Sequence, residues 1–223
     1  MKFLVIAQDL RVSGTSEGVV SRSFIAKLKK CFPHSAIDVV YLRHNERDDQ
    51  LDLLPIDHLQ VHLINRKVPF HIKFVNRFYW RIFKRSLNEQ YIINQYARVI
   101  KEIKYDKYDH IFIRSSGLEY ETILGASDLP ILKKAIINFH DAYPVFWDTG
   151  STKPIHDLEL YRFWNMWKVV NRAKICITPS RLLSEDMEFL YGSNKKFYTL
   201  PHQFDECVFA FENSEEIREK QKP

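Results

Sequence analysis

The chain has 223 residues, 45% hydrophobic and 27% charged, which suits one large soluble domain or two small ones with a sizeable core. Its formal charge is +5, but seven Lys/Arg and no acid fall between Arg66 and Arg85, so the rest is slightly acidic and the chain is not broadly built for nucleic acid. Cys31, Cys176 and Cys207 have no paired-ligand spacing, which suggests neither a disulfide framework nor a zinc site and makes a reducing cytosol the expected compartment.

The opening "MKFLVIAQDL" has an apolar run too short for a signal-peptide core or a spanning helix, and it reads as a first strand, Phe3 to Ala7. Val20, Phe24, Leu28 and Cys31 then share one helical face. "IDVVYL", Ile37 to Leu42, is the second strand. The span from Arg43 to Asp109 interrupts the alternation and reads as an elaboration with at least two helices, one carrying Ile92, Tyr96, Val99 and Ile103 on a single face. Four more strands follow: "HIFIRS" (His110 to Ser115), "AIINF" (Ala135 to Phe139), "KICITP" (Lys174 to Pro179) and "KFYTL" (Lys196 to Leu200). These near-continuous apolar runs suit parallel strands covered on both faces. The alternation predicts right-handed βαβ units and a doubly wound, mostly parallel, Rossmann-like α/β sheet.

Such sheets bind ligands at the carboxyl ends of their strands, so the residues after each strand matter most. After the first come Ser13, Gly14, Thr15 and Ser16 in "SGTSEGVVSR", where free N–H groups and a helix N-terminus suit a phosphate or sugar hydroxyl. The loop lacks the Walker and G-x-G-x-x-G spacings, and an ordinary capped helix would read the same way. In "INFHDAYPVFW" a strand runs into His140 and Asp141. The histidine could bond a ligand hydroxyl or share a proton with it, or pair with Asp141 as a satisfied strand-end residue. Tyr143, Phe146 and Trp147 could form a sugar-stacking wall or simply pack on the core. Ser180, in "ITPSRLLSED", stands where an N-cap belongs. His58 and His62 in "DHLQVH" would share a helical face without the H-E-x-x-H pattern, so a surface pair is expected and no metal site.

Read as a helix, the basic segment puts Lys73, Arg77, Arg81, Lys84 and Arg85 on one side and Ile72, Val75, Phe78, Tyr79, Ile82 and Phe83 on the other. That pattern fits an interfacial helix at anionic lipid. It equally fits a domain helix whose basic face meets water or an acidic substrate.

The order of "SGTSEGVV", "FHD", "ITPS" and "YTLPHQFDECVF" resembles the N-terminal half of GT-B glycosyltransferases, above all the retaining family 4 that uses nucleotide-sugar donors. The likeness covers residues 1–42 and 110–209. Pro201, Asp205 and Phe209 match the family's Pro-Asn-Gly-Val-Asp crossover and its nearby Phe, with His202 and Gln203 replacing Asn and Gly. Gly14 stands for a usual glycine pair, Glu17 for the acid after it, and His140 and Asp141 for a His-Asp strand end whose histidine faces the donor sugar. The resemblance implies an acceptor-side domain over residues 1–205, with 206–223 leading toward a second domain that binds the nucleotide. It further implies transfer of a sugar to a lipid-linked or polysaccharide acceptor, with His140 catalytic and Ser13, Gly14, Thr15, Glu17, Asp141 and Ser180 binding substrate. Lys73, Arg77 and Arg81 would face acceptor or membrane at the inner, cytoplasmic side. A nucleotide sugar as substrate and no cofactor are expected, and this chain alone should be inactive. A non-catalytic module that recruits a transferase to membrane or glycan, and a sugar-nucleotide epimerase of the same shape, are the competing expectations.

Overall fold

The computed structural model describes residues 1–12, 15–44, 50–117, 119–143, 157–192 and 194–209, with the backbone alone for 157–159. The six expected strands form within a residue or two of their predicted ends: β1 Lys2–Ala7, β2 Ala36–Arg43, β4 His110–Arg114, β5 Ala135–Asn138, β6 Ile175–Thr178 and β7 Phe197–Thr199. A further strand, β3 (His58–Leu63), pairs with β2. It corrects the helical reading of "DHLQVH". As an outer strand it is mostly exposed, so its sequence lacks the apolar run that marks the inner strands. On a strand, four residues separate His58 from His62 by about 13 Å, too far for one shared ion.

The strands form one sheet in the order β3-β2-β1-β4-β5-β6-β7, with every pair parallel. Among the described residues six α-helices connect them: α1 Ser16–Cys31, α2 Phe70–Phe83, α3 Leu87–Glu102, α4 Glu121–Gly125, α5 Asp157–Arg172 and α6 Arg181–Tyr191. The elaboration therefore holds α2, α3 and β3. Ser86 starts α3 cleanly by accepting from the Glu89 N–H at 3.2 Å.

Period-two alternation sends the strands' side chains to two cores. Leu4 and Ile6 join Tyr96 and Ile100 of α3, Ile123 of α4, Met166 and Val169 of α5 and Met187 of α6. Phe3, Val5 and Ala7 join Phe24, Ile25 and Leu28 of α1 on the opposite face. The helix face expected from Val20, Phe24, Leu28 and Cys31 is narrower than the buried surface. Every residue from Ser21 to Ala26 is buried, while Cys31 is exposed.

The reason is a second cover on α1. After β7 the chain returns across it and ends its described part in a 3-10 turn, Glu206–Val208, whose Val208 lies wholly inside the α1 core. Arg22, fully buried, donates to the Val208 carbonyl through Nε at 3.0 Å and Nη2 at 2.6 Å, and to the Leu10 carbonyl through Nη1 at 3.0 Å. The Asp205 side chain, 2% exposed, meets Lys30 Nζ at 2.6 Å and Lys27 Nζ at 3.3 Å, and its N–H donates to Ser23 Oγ at 3.0 Å.

Hydrogen bonds from the Cys207 thiol and from Lys30 hold the Asp205 carboxyl far below the usual carboxylate range. Its folded form thus ionises at lower pH than its unfolded form. The clasp contributes fully above about pH 4 and is lost as pH falls through the folded value. Asp205→Asn should cost about 1–2 kcal/mol of unfolding free energy at neutral pH, a modest figure because both lysines are water-screened. In urea titrations the gap to the parent should narrow as pH drops below about 4. A pH-independent gap would remove the ionic part of the clasp.

Candidate functional site

The sheet order reverses between β1 and β4, so the loops leaving those two strands diverge and open a crevice at their carboxyl ends. Asp9, just past β1 and 1% exposed, organises one side. Its carboxylate accepts from the Arg11 N–H at 3.0 Å, Arg11 Nε at 2.8 Å, Thr15 Oγ1 at 2.8 Å and, across the reversal, Ser116 Oγ at 3.0 Å. Burial works to raise its pKa, but the Arg11 and Thr15 bonds outweigh that and hold it below its ordinary value. The loop is thereby folded tightly against α1. A Cβ on Gly18 would overlap the Arg11 carbonyl and lie 2.8 Å from the Arg11 nitrogen.

The other side begins at the end of β4. Ser116 and Glu119 exchange backbone hydrogen bonds at 3.0 and 2.7 Å around Gly117, whose φ of +51° favours glycine. The position where a Gly117 Cβ would stand lies 2.6 Å from Glu17 Oε1, so the first acid of α1 rests directly on this turn. Arg114, the last residue of β4, is 2% exposed and donates from Nε to Ser21 Oγ at 3.1 Å and from Nη1 to Asn138 Oδ1 at the end of β5. Its guanidinium stacks over Phe24, 4.5 Å from the ring centre. Burial pulls its pKa down to about 9, which leaves it charged at neutral pH.

His140 lies just beyond β5, 3% exposed, with Nε2 at 3.4 Å from Arg114 Nη2. The ring of His202, on the crossover after β7, stands over it with centroids 5.3 Å apart. Burial, then the Arg114 charge, then His202 push His140 well below its ordinary range, so it is neutral. Asp141 follows on the exposed rim, its main chain pinned by Tyr120, whose hydroxyl donates to the Asp141 carbonyl and accepts its N–H at 3.2 Å. Desolvation, then the nearby Glu17 carboxylate, raise the Asp141 pKa.

Of the residues singled out in the sequence, Glu17, His140 and Asp141 are brought together at this crevice. Thr15 stands beside it with its hydroxyl engaged by Asp9. Ser180 caps α6 by accepting from the Leu183 N–H at 3.2 Å. Ser13, Gly14, Phe146 and Trp147 lie outside the described residues, and Tyr143 is buried in the core. Sequence reasoning missed Asp9, Arg114, Gly117 and Tyr120. Two carried a signal: an arginine closing the apolar run "HIFIR", and an aspartate two residues after "FLVIA".

The basic segment also needs correction. Arg66 precedes α2 and bridges Glu119 at 2.5 Å and Glu121 at 2.6 Å. The expected opposition of one basic and one apolar side resolves into three sectors. Ile72, Asn76, Tyr79 and Trp80 are half-buried, with Asn76 Oδ1 accepting from the Leu87 N–H of α3 at 2.7 Å. Phe70, Phe74, Phe78 and Ile82 form an outward row, 82%, 52%, 56% and 71% exposed. Lys73, Arg77 and Arg81 form a second exposed row beside it, three residues on along the helix. Among the described residues no carboxylate pairs with these three cations. An apolar groove of about 300 Å³, lined by Ile72, Val75, Leu87 and Tyr91 among others, separates α2 from α3.

No family model matches the chain, and no curated protein matches it in sequence. Solved structures do match. Sucrose-phosphate synthase from Thermosynechococcus elongatus aligns over 90% of this chain and 48% of its own, at 10% identity and a TM-score of 0.54. An alpha-glucosyltransferase solved with UDP and DNA aligns over 92% of this chain and 43% of its own, at 13% identity and a TM-score of 0.49. HepE of Anabaena, solved with UDP and glucose, aligns over 99% and 50%, at 11% identity and a TM-score of 0.46. The chain thus spans half or less of each of these neighbours, and the likeness to the synthase establishes the doubly wound Rossmann-like fold.

The tight β1–α1 loop yields a direct test. Gly18→Ala should lower unfolding free energy by about 1–3 kcal/mol, since backbone atoms must shift to admit the methyl group. Chemical denaturation of the chain measures it. A neutral substitution would mean that the loop is looser than Asp9 makes it.

Proposed function

We propose that this chain is the acceptor-side half of a retaining glycosyltransferase that moves a sugar from a nucleotide-sugar donor to a lipid-linked or polysaccharide acceptor. The observation that carries the reading is the convergence of Glu17, His140 and Asp141 at the strand-order reversal of a doubly wound sheet, where such folds take their ligands. Two carboxylates and a neutral imidazole suit sugar hydroxyls, which both donate and accept. Thr15, Ser180, Ser13 and Gly14 would add polar contacts. In transfer, the bond from the anomeric carbon to the diphosphate breaks as the acceptor oxygen bonds to the same face. The charge that develops on the departing diphosphate needs positioned cations or helix N-termini. In this reading a second, donor-binding domain entered through residues 206–223 supplies them, with residues 1–205 as the acceptor wall. No cofactor is invoked.

The acceptor's class is read from α2. A row of exposed aromatic and aliphatic side chains beside a row of unpaired cations suits the boundary of an anionic bilayer, the apolar row entering the acyl region and the cations meeting headgroups. The groove between α2 and α3 suits hydrocarbon from that surface. No described helix is long and apolar enough to cross a membrane, so the association would be peripheral, at the inner, cytoplasmic face.

Two measurements test the reading. Product assays on the isolated chain with common nucleotide sugars should stay at background, with turnover only when the donor-binding half is supplied. Robust turnover by the 223-residue chain would overturn the two-domain reading. Separately, the chain should co-sediment with anionic vesicles. Lys73→Gln, Arg77→Gln and Arg81→Gln together should weaken that by about 100-fold at low salt, at about 1 kcal/mol per cation. Indifference to the triple change, or no binding by the parent, would return α2 to a purely structural role.

A further inference from the structure

Arg114 is a buried cation whose hydrogen-bond partners are all neutral: Ser21 Oγ, Asn138 Oδ1 and His140 Nε2. A desolvated charge without a counter-charge costs several kcal/mol, so its neutral acceptors are under strong demand. A guanidinium can only donate. A lone pair on the ring nitrogen that faces Arg114 Nη2 at 3.4 Å makes that contact attractive and an N–H there makes it repulsive, which favours the single imidazole proton on Nδ1. Protonating Nε2 as well would set an N–H against an N–H and a second positive charge beside the first, in a site closed to water.

We infer that Arg114 is a positioning residue that locks His140 as the neutral Nδ1–H tautomer, so that in the proposed site His140 acts as a hydrogen-bond donor to a substrate oxygen and not as a shuttle for protons. The donor is held in reserve. Among the described residues, His140 Nδ1 is buried and has no partner, and the His202 ring stands above the imidazole. His202 is exposed on the crossover that follows β7. The charged and titratable groups around His140 are Arg114 from β4 and His202 from the crossover, while Asp141 on the rim and Glu17 from α1 act on His202. Neither carboxylate reaches the Arg114 guanidinium, so nothing on the sheet side offsets its charge. The role in sugar transfer rests on the function proposed above; the tautomer does not.

The test uses the chain itself, labelled with ¹⁵N-histidine. Long-range ¹H–¹⁵N correlation spectra from about pH 8 to about pH 5 should give His140 the Nδ1–H pattern throughout, with no titration step. Asn138→Asp places a carboxylate against Arg114 Nη1 and offsets its charge. The His140 midpoint should then rise by at least about one pH unit. An Nε2–H pattern in the parent, or a parent midpoint at the ordinary histidine value, would overturn the lock whether or not the variant folds. A folded Asn138→Asp variant with an unchanged His140 would overturn the assignment of the effect to Arg114. A chain with no transfer activity in any context would leave these spectra unchanged, which separates failure of the lock from failure of the functional reading.

Discussion

The buried carboxylate of Asp9 is the interaction on which the carboxyl edge of this sheet depends. It stands where the strand order reverses, and through Arg11, Thr15 and Ser116 it ties the exit of β1 to the start of α1 and to the exit of β4. A buried carboxylate is tolerated only when its oxygens are satisfied, and here every donor comes from a segment that would otherwise be a free loop. From that knot follow the close approach of Gly18 to Arg11, the position of Glu17 on the Gly117 turn, and hence the repulsion between the Glu17 carboxylate and Asp141 on the rim.

Asp9 and Arg114 treat the same cost in opposite ways. Asp9 has Arg11 beside it as a counter-charge, and the ion pair fixes a loop. Arg114 has neutral acceptors and an aromatic face, and its charge projects onto His140 and His202. A fold that needed only stability would gain by placing a carboxylate at Asn138 or a hydrophobe at Arg114. An unoffset buried cation between the crevice and the returning crossover suits a site that controls the protonation of its neighbour.

Much of this was legible in the residues. The five inner strands announce themselves as apolar runs because both faces are covered, and Ser180 marks a helix start because an orphan N–H needs an oxygen. What the residues could not reveal depends on distant contacts. The exposed strand β3 lacks the inner pattern, and α1 buries Arg22 and Ser23 beneath a segment some 185 residues later in the chain. The α2 wheel separated charge from hydrocarbon, but only the packing of Asn76 toward α3 decides which apolar residues remain outside. His140 was legible as a strand-end residue. Its tautomer was not, because the arginine that sets it lies 26 residues earlier on a neighbouring strand.

The proposed function puts sugar binding in the crevice at the carboxyl edge of the sheet, with His140 as the proposed inner donor. The most direct measurement of that proposal is steady-state kinetics of the chain joined to the proposed donor-binding half, with and without His140→Ala. Loss of a buried donor aimed at the reacting sugar should lower kcat by about 100-fold with little change in KM for the donor. Unchanged kcat and kcat/KM in a folded variant would place the chemistry elsewhere and contradict the account.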